Sequence, residues 1–105
     1  GFFRKPGEGP SQKAMDSGFF KSRFLVETNS GVRAFSMYSS GDPGYKMTSR
    51  MACESALCLA VENPDDLPGG EGFGGLLTPS TGLGNVLIKR LKNIGVSFEE
   101  ISLEA

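Results

Sequence analysis

Tyr45 and Lys46 are two adjacent side chains that could transfer a proton from a loop position. A phenol or an ammonium group can act as the general acid when a carbonyl or an alkene is reduced, provided that it reaches the reacting atom. Both residues are therefore candidate catalytic residues. Loops held by rigid elements often carry substrate contacts, so we also consider a candidate substrate-side loop that ends at Tyr45. The other members of this loop are Gly41, Asp42, Pro43 and Gly44.

The same segment has a purely structural interpretation. Proline and glycine supply the backbone angles that a turn needs, and the side chain of Asp42 can accept hydrogen bonds from the backbone beyond it. The residues alone leave both interpretations open.

Composition narrows the function classes. The chain has 105 residues, with 11 basic and 12 acidic side chains and a net charge of −1. Such a balance provides no basic field for nucleic acid or anionic lipid, so no nucleic-acid partner is expected. The sequence contains no histidine, which excludes Ser-His-Asp and Cys-His catalysis and histidine-ligated metal within the chain. A small independent hydrolase is disfavoured, because no G-x-S-x-G nucleophile motif occurs.

Cys53 and Cys58 are five positions apart on a predicted helix, about 140° apart around its axis. They cannot pair with each other there, and they do not form a zinc site. We therefore expect no metal and an intracellular, reducing compartment, with the cytoplasm as the first expectation. Association with a membrane surface or an organelle stays open. No apolar run approaches the roughly 20 residues of a membrane span, so we expect no transmembrane segment.

The N-terminal half predicts an antiparallel hairpin followed by a helix. Residues 1–18 should form an irregular loop with one helical turn from Ser11 to Asp16, and residues 19–105 the folded part of one domain. Alternation over residues 19–28 and 32–39, around the loop Asn29-Ser30-Gly31, predicts two paired strands. Helical spacing continues from Tyr45 to Glu62. The apolar half of this helix, Ala56–Val61, is expected to be buried against the sheet.

The C-terminal third predicts a second helix and a closing strand. Thr78 should cap a helix that has Pro79 in its first turn, and Gly95 should follow its C-terminus. Residues 96–101 should form the last strand. Together these elements predict an α+β fold, with an antiparallel or mixed sheet of about three or four strands and two helices packed on one face.

A glycine string in the loop 63–75 mimics a cofactor motif. Gly70, Gly72 and Gly75 match the formal pattern G-x-G-x-x-G. The dinucleotide fingerprint needs a strand before it and a helix after it, whereas a Pro-Asp-Asp-Leu-Pro segment precedes this string and a Thr-Pro pair follows it. We therefore expect no cofactor-binding residues in this chain.

Five stretches resemble, in the same order, the saccharopine dehydrogenase-like oxidoreductases, including the bacterial trans-acting enoyl reductases. They are Lys5–Ser11, Phe19–Lys21, Gly41–Tyr45, Met51–Ala60 and Gly74–Phe98. The resemblance implies that the chain is the C-terminal part of the second domain of a two-domain enzyme. It also implies that a Rossmann domain, absent here, binds NAD(P) in the full-length protein. The associated chemistry is hydride transfer to a carbonyl, imine or enoyl carbon.

The resemblance assigns this chain a supporting function. It would shape the substrate pocket and contribute to a homodimer interface, with its own N-terminal Rossmann domain as partner. The isolated chain should be inactive and bind no cofactor. The alternative is a stand-alone protein-interaction module without enzymatic activity. Uncovered Phe and Tyr side chains on the sheet face opposite the helices favour the first hypothesis, and a polar outer face favours the second.

Overall fold

The computed structural model describes residues 5–102, and its centre is a three-stranded antiparallel sheet. The strands β1 (Phe19–Thr28), β2 (Gly31–Ser40) and β3 (Ser97–Ile101) lie in the order β1-β2-β3. The predicted α+β class and antiparallel hairpin are confirmed. No helix within residues 5–102 is long and apolar enough to cross a membrane.

The hairpin is long, and β3 pairs with only half of its second strand. All ten residues of β1 pair with β2, from Phe19↔Ser40 to Thr28↔Gly31. The hydroxyl of Thr28 donates to the carbonyl of Gly31 at 3.0 Å and so closes the two-residue turn. In contrast, β3 pairs only with residues 34–38 of β2. The turn end of the hairpin therefore projects past β3.

Three α-helices and one short 3₁₀ turn complete the described chain. They are α1 (Gln12–Ser17), α2 (Lys46–Val61), the 3₁₀ turn Pro64–Asp66 and α3 (Pro79–Asn93). Helix α1 confirms the helical turn predicted in the N-terminal segment, although it begins and ends one residue later than predicted.

Local sequence signals set both ends of α3. Thr78 and Thr81 form a reciprocal capping box, with Pro79 in the first turn. Gly95 follows the helix with a positive φ of 95°, and its N–H donates to the carbonyl of Lys92 at 3.0 Å. The cap and the C-terminal glycine thus occupy the positions that the sequence predicts.

The core lies between α2, α3 and one end of the sheet. Its buried members are Met47, Cys58, Leu83, Leu87, Leu91 and Val96. The sheet contributes Phe20, Met37 and Phe98 from a single face. On that same face, nearer the hairpin turn, Phe24 is 50% exposed. The two helices therefore cover only one end of the sheet face.

The expected burial of Ala56–Val61 against the sheet is wrong. Only Cys58 of this segment is buried, and Leu59 is 71% exposed. The stripe of α2 that faces α3 contains Cys58 together with Glu54 and Glu62, whose carboxylates bind an arginine of α3. Because this partly polar stripe faces inward, the neighbouring apolar side chains face outward. Helical spacing in the sequence also places Leu57 and Val61 on one apolar stripe with Cys58, but both side chains are exposed for the same reason.

Leu87→Ala should lower the free energy of unfolding by roughly 2–5 kcal/mol, because it removes a buried side chain between the two helices and leaves a cavity. Urea denaturation followed by circular dichroism measures this loss. Ile88→Ala, at the next position but with an exposed side chain, is the matched control and should cost less than about 1 kcal/mol. Equal losses at the two positions would contradict this core.

An exposed ion pair joins β2 to β3. Nε of Arg33 donates to one carboxylate oxygen of Glu100 at 2.8 Å, and Nη2 donates to the other oxygen at 2.8 Å. These hydrogen bonds hold the pKa of Glu100 below its usual range. A carboxyl group with a lowered pKa stabilises the fold above its unfolded pKa, and this contribution is lost as pH falls through the folded pKa.

Arg33→Ala should therefore raise the pKa of Glu100 toward that of an unpaired glutamate. An NMR titration of the side-chain carboxyl carbons measures the shift directly. Arg23→Ala removes an arginine from β1 that forms no ion pair with Glu100, and it should leave this pKa unchanged. An unaltered Glu100 titration in Arg33→Ala would show that the pair does not form in solution.

Candidate functional site

The predicted substrate-side loop, residues 41–45, connects β2 to α2 and is tied to the start of the hairpin. Gly41 is buried and has a φ of 96°. Its N–H donates to the carbonyl of Gly18 at 2.6 Å, and the N–H of Asp42 donates to the carbonyl of Met15 at 2.8 Å. The loop is therefore held by the junction of α1 and β1.

Asp42 caps the first turn of α2. Its carboxylate accepts hydrogen bonds from the N–H of Tyr45 at 2.7 Å and of Lys46 at 3.4 Å. The N–H of Met47 donates to the carbonyl of Asp42 at 2.9 Å. An acidic side chain at this position also suits the positive end of the helix dipole. The structural interpretation of the loop thus has a definite basis in these contacts.

The two candidate proton donors have different environments. The side chain of Tyr45 is 60% exposed at the N-terminus of α2. The ammonium group of Lys46 instead forms an ion pair with Asp16 of α1. The hydrogen bond from Lys46, followed by one from Gln12, lowers the pKa of the Asp16 carboxyl. Tyr45 is consequently free to meet another molecule, whereas Lys46 is engaged within the fold.

A groove of about 580 Å³ opens at the other end of α2. It lies between the C-terminal half of α2, the loop that follows it and the start of α3, and its volume is in the range of small-molecule sites. Its larger apolar lining residues are Leu59, Leu67, Pro68, Phe73, Leu77 and Leu83. Sequence reasoning missed this groove, because residues far apart in the chain form it.

The glycine string lines the groove but lacks the geometry of a dinucleotide fingerprint. Gly70, Gly72 and Gly75 all have positive φ values. The 3₁₀ turn lies before them, and α3 begins only at Pro79. A strand directly before the glycines and a helix directly after them are both missing in this part of the described chain. The glycine string therefore does not form the dinucleotide-binding fingerprint.

The polar side chains around the groove are largely occupied by the backbone. The hydroxyl of Ser55 donates to the carbonyl of Met51 at 2.9 Å, and the hydroxyl of Thr78 caps α3. Glu71 is the charged residue among the lining side chains. The groove thus offers shape and apolar contact. Within residues 5–102, no cluster of three side chains is suited to hold a metal ion.

The predicted loop and the groove lie at opposite ends of α2. Tyr45 directly precedes this helix, and Ser55 is the first of its residues to line the groove. Ten residues of helix correspond to about 15 Å along its axis. The structure therefore does not bring the predicted candidate residues and the groove together within this chain.

Arg90 fixes α3 against the inner stripe of α2. Its Nε donates to Glu54 at 2.8 Å, and its Nη1 donates to Glu62 at 2.6 Å. These hydrogen bonds, the one to Glu62 first, raise the pKa of the Arg90 guanidinium, so it stays charged. Burial raises the pKa of the neighbouring Cys58 thiol. From the sequence, Glu54 is expected to be either solvated at the outer edge of its helix or paired with a residue such as Arg50 or Lys46. The structure shows a pair, and the partner is Arg90.

A kink in α3 holds the groove loop in place. Gly84 has φ and ψ of 50° and −135°, which no regular helix contains. A Cβ atom there would lie 2.7 Å from Cγ of Pro68, so only glycine lets the loop approach the helix this closely. The one local signal for this feature is the pair of glycines at 82 and 84 within a helical pattern.

Comparisons with known proteins identify similar segments in mycobacterial trans-acting enoyl reductases. A Mycobacterium tuberculosis protein, provisionally named as one, is 38% identical over 100 residues, which are 94% of this chain and 23% of that protein. The trans-acting enoyl reductase of Mycobacterium ulcerans is 34% identical over 92 residues, with shares of 88% and 21%. That of Mycobacterium bovis is 33% identical over 92 residues, also with shares of 88% and 21%.

The chain thus resembles a segment of enoyl reductases, and it spans less than a quarter of the length of these curated relatives. The predicted resemblance to enoyl reductases is confirmed for a segment of these proteins. No protein-family model matches the chain. No solved structure matches it either.

Gly84→Ala should lower the free energy of unfolding by about 1–2 kcal/mol, because it places a side chain in a left-handed conformation against Pro68. It should also increase the hydrogen exchange of the loop 64–75, which the substitution pushes away from α3. Gly74→Ala is the matched control, since a Cβ atom there meets nothing within 4 Å. Equal effects on exchange would contradict the role of the Pro68–Gly84 contact.

Proposed function

We propose that this chain is the C-terminal, substrate-side part of a saccharopine dehydrogenase-like, NAD(P)-dependent oxidoreductase. In this proposal an N-terminal Rossmann domain of the same protein binds the cofactor. The present chain shapes the substrate pocket, contributes to a subunit interface and is inactive alone. The observation that carries the proposal is the likeness of 94% of this chain to one segment of a protein more than four times its length.

The surface supports the presence of a partner domain. Leu57 and Val61 are exposed on one flank of α2, and Leu59 is exposed on the other flank, beside the groove. The adjoining loop exposes Phe73 and Leu76. Large exposed apolar side chains of this number are typical of faces that another domain covers. Phe19 and Tyr38 are exposed on the sheet face opposite the helices, which favours this hypothesis over a self-contained interaction module.

The dimensions of the chain point the same way. Its radius of gyration is 17.1 Å, whereas an autonomous domain of this length has about 13 Å. An extended outline of this kind suits a segment that packs against further chain.

Within this proposal, the groove and the loop 41–45 have different functions. The groove contacts the apolar part of the substrate, because its lining supplies Leu59, Phe73 and Leu77. Tyr45 is the better candidate for proton donation, because its side chain is exposed while Lys46 is paired with Asp16. A bound nicotinamide would supply the hydride, and this chain's residues would position the acceptor.

The test divides the M. tuberculosis relative into two parts. The form that lacks the matched segment is purified and mixed with this chain, and their association is measured by calorimetry. We expect binding and a regain of NAD(P)H-dependent reduction of an enoyl thioester. Val61→Asp should weaken the association at least tenfold, because it places a carboxylate in the exposed apolar flank of α2 that lies outside the groove.

Two controls make this test specific. Val32→Asp introduces the same charge on the distant hairpin end and should leave the association unchanged. The chain alone, titrated with NADPH or NADH, should show no binding. Tight cofactor binding by the isolated chain, or no association with the remainder of the relative, would overturn the proposal.

A further inference from the structure

We propose that β1 forms the interface of a homodimer, in which it pairs antiparallel with β1 of a second copy. This inference rests on the proposed function, which includes a subunit interface, and it assigns the strand, the register and the residues. Its test needs neither cofactor nor substrate, so its failure would leave the oxidoreductase assignment standing.

The outer edge of β1 is an open template for another strand. Within the described residues, β2 is the central strand and β1 pairs with it alone. The ladder runs without interruption over all ten residues, so no bulge twists the edge away. The strand also contains no proline. A long, regular edge without such protection favours strand addition.

The middle of this edge is apolar and uncovered. Leu25 is 70% exposed, and its neighbours Phe24 and Val26 are exposed on the other face of the sheet. These side chains lie toward the hairpin turn, beyond the end of the sheet that the helices cover. Contact between two such hairpins would remove apolar surface from water on both faces of the sheet.

The charged side chains of β1 favour a second copy of this chain as the partner of the open edge. Arg23 and Glu27 lie two positions on either side of Leu25, on the same face of the strand. The residues opposite them on β2 are Ser36 and Val32, and neither charge belongs to an ion pair within residues 5–102. An antiparallel pair with Leu25 on the two-fold axis places each Arg23 opposite Glu27 of the other copy.

In the same register, the side chains on the other face of β1 are also complementary between the two copies. Phe24 lies opposite Val26 of the second copy, and Ser22 lies opposite Thr28. Every pair in the overlap therefore joins apolar with apolar, polar with polar or opposite charges. Cross-strand pairs of these kinds stabilise a sheet by about 0.2–1 kcal/mol each.

Neighbouring registers are less complementary. A slip of two residues places Arg23 opposite Leu25 and Ser22 opposite Val26, although Lys21 then meets Glu27. A further slip of two residues places Arg23 opposite Arg23, and like charges directly opposite each other are destabilising. The register centred on Leu25 is therefore the one that the sequence of β1 favours.

Sedimentation equilibrium of the 105-residue chain over a concentration series tests the proposal. We expect a monomer–dimer equilibrium. Arg23→Glu should raise the dissociation constant about tenfold, because it opposes two pairs of like charges. The double variant Arg23→Glu with Glu27→Arg restores opposite charges across the interface and should restore the dimer.

Lys21→Glu is the matched control. It makes the same charge change on the same face of β1 but lies outside the paired segment, so it should leave the dissociation constant unchanged. Circular dichroism establishes that each variant is folded. As a second measurement, the amides of residues 23–27 should exchange more slowly as the concentration of the wild-type chain rises.

Three results would overturn the proposal. The first is a folded chain that stays monomeric at every concentration. The second is a dimer that is insensitive to Arg23→Glu. The third is a dimer that Lys21→Glu weakens as much as Arg23→Glu does, because this result would place the contact in another register or on another surface.

Discussion

The double ion pair of Arg90 with Glu54 and Glu62 determines how α2 is rotated in this structure. A helix with apolar side chains on several sides has no single preferred inner face. Both carboxylates lie on the stripe that faces α3, and both accept a hydrogen bond from the guanidinium group of Arg90. Leaving half-buried charges without partners is costly, so this rotation is favoured over one that buries Leu57 and Val61.

This rotation produces the features on which the functional argument depends. It directs Leu59 toward the open side of the molecule, where the side chain lines the groove. It also leaves the outer face of α2 apolar and uncovered. The groove and the exposed face are thus consequences of one polar contact between two helices.

The sequence predicted those parts of the fold whose signals are local. Alternation predicted the hairpin, and the Thr78 cap with Pro79 and Gly95 predicted both ends of α3, because each signal acts within a few residues. The inner face of α2 could not be predicted in this way, because its choice depends on Arg90, which is 28 residues beyond Glu62. The Gly84 kink depends on Pro68 in the same manner.

In the candidate site, too, the features with local sequence signals were predictable and those built by distant residues were not. The turn at residues 41–44 was predictable, since Asp42 binds the backbone of the helix that follows it. The groove was not, because two helices and a loop build it. The sequence also drew attention to the glycine string as a possible cofactor motif, whereas in the fold these glycines let a loop bend over an apolar groove.

The two uncovered apolar surfaces lie in different parts of the molecule. The face of α2 and the groove lie on the helical side, and the apolar edge of β1 lies on the side of the sheet away from β3, toward the hairpin turn. A partner domain on the helical side therefore leaves the hairpin accessible to a second subunit. Since the core occupies only the region between these surfaces, contacts with further chain would stabilise both ends of a fold that has a small interior of its own.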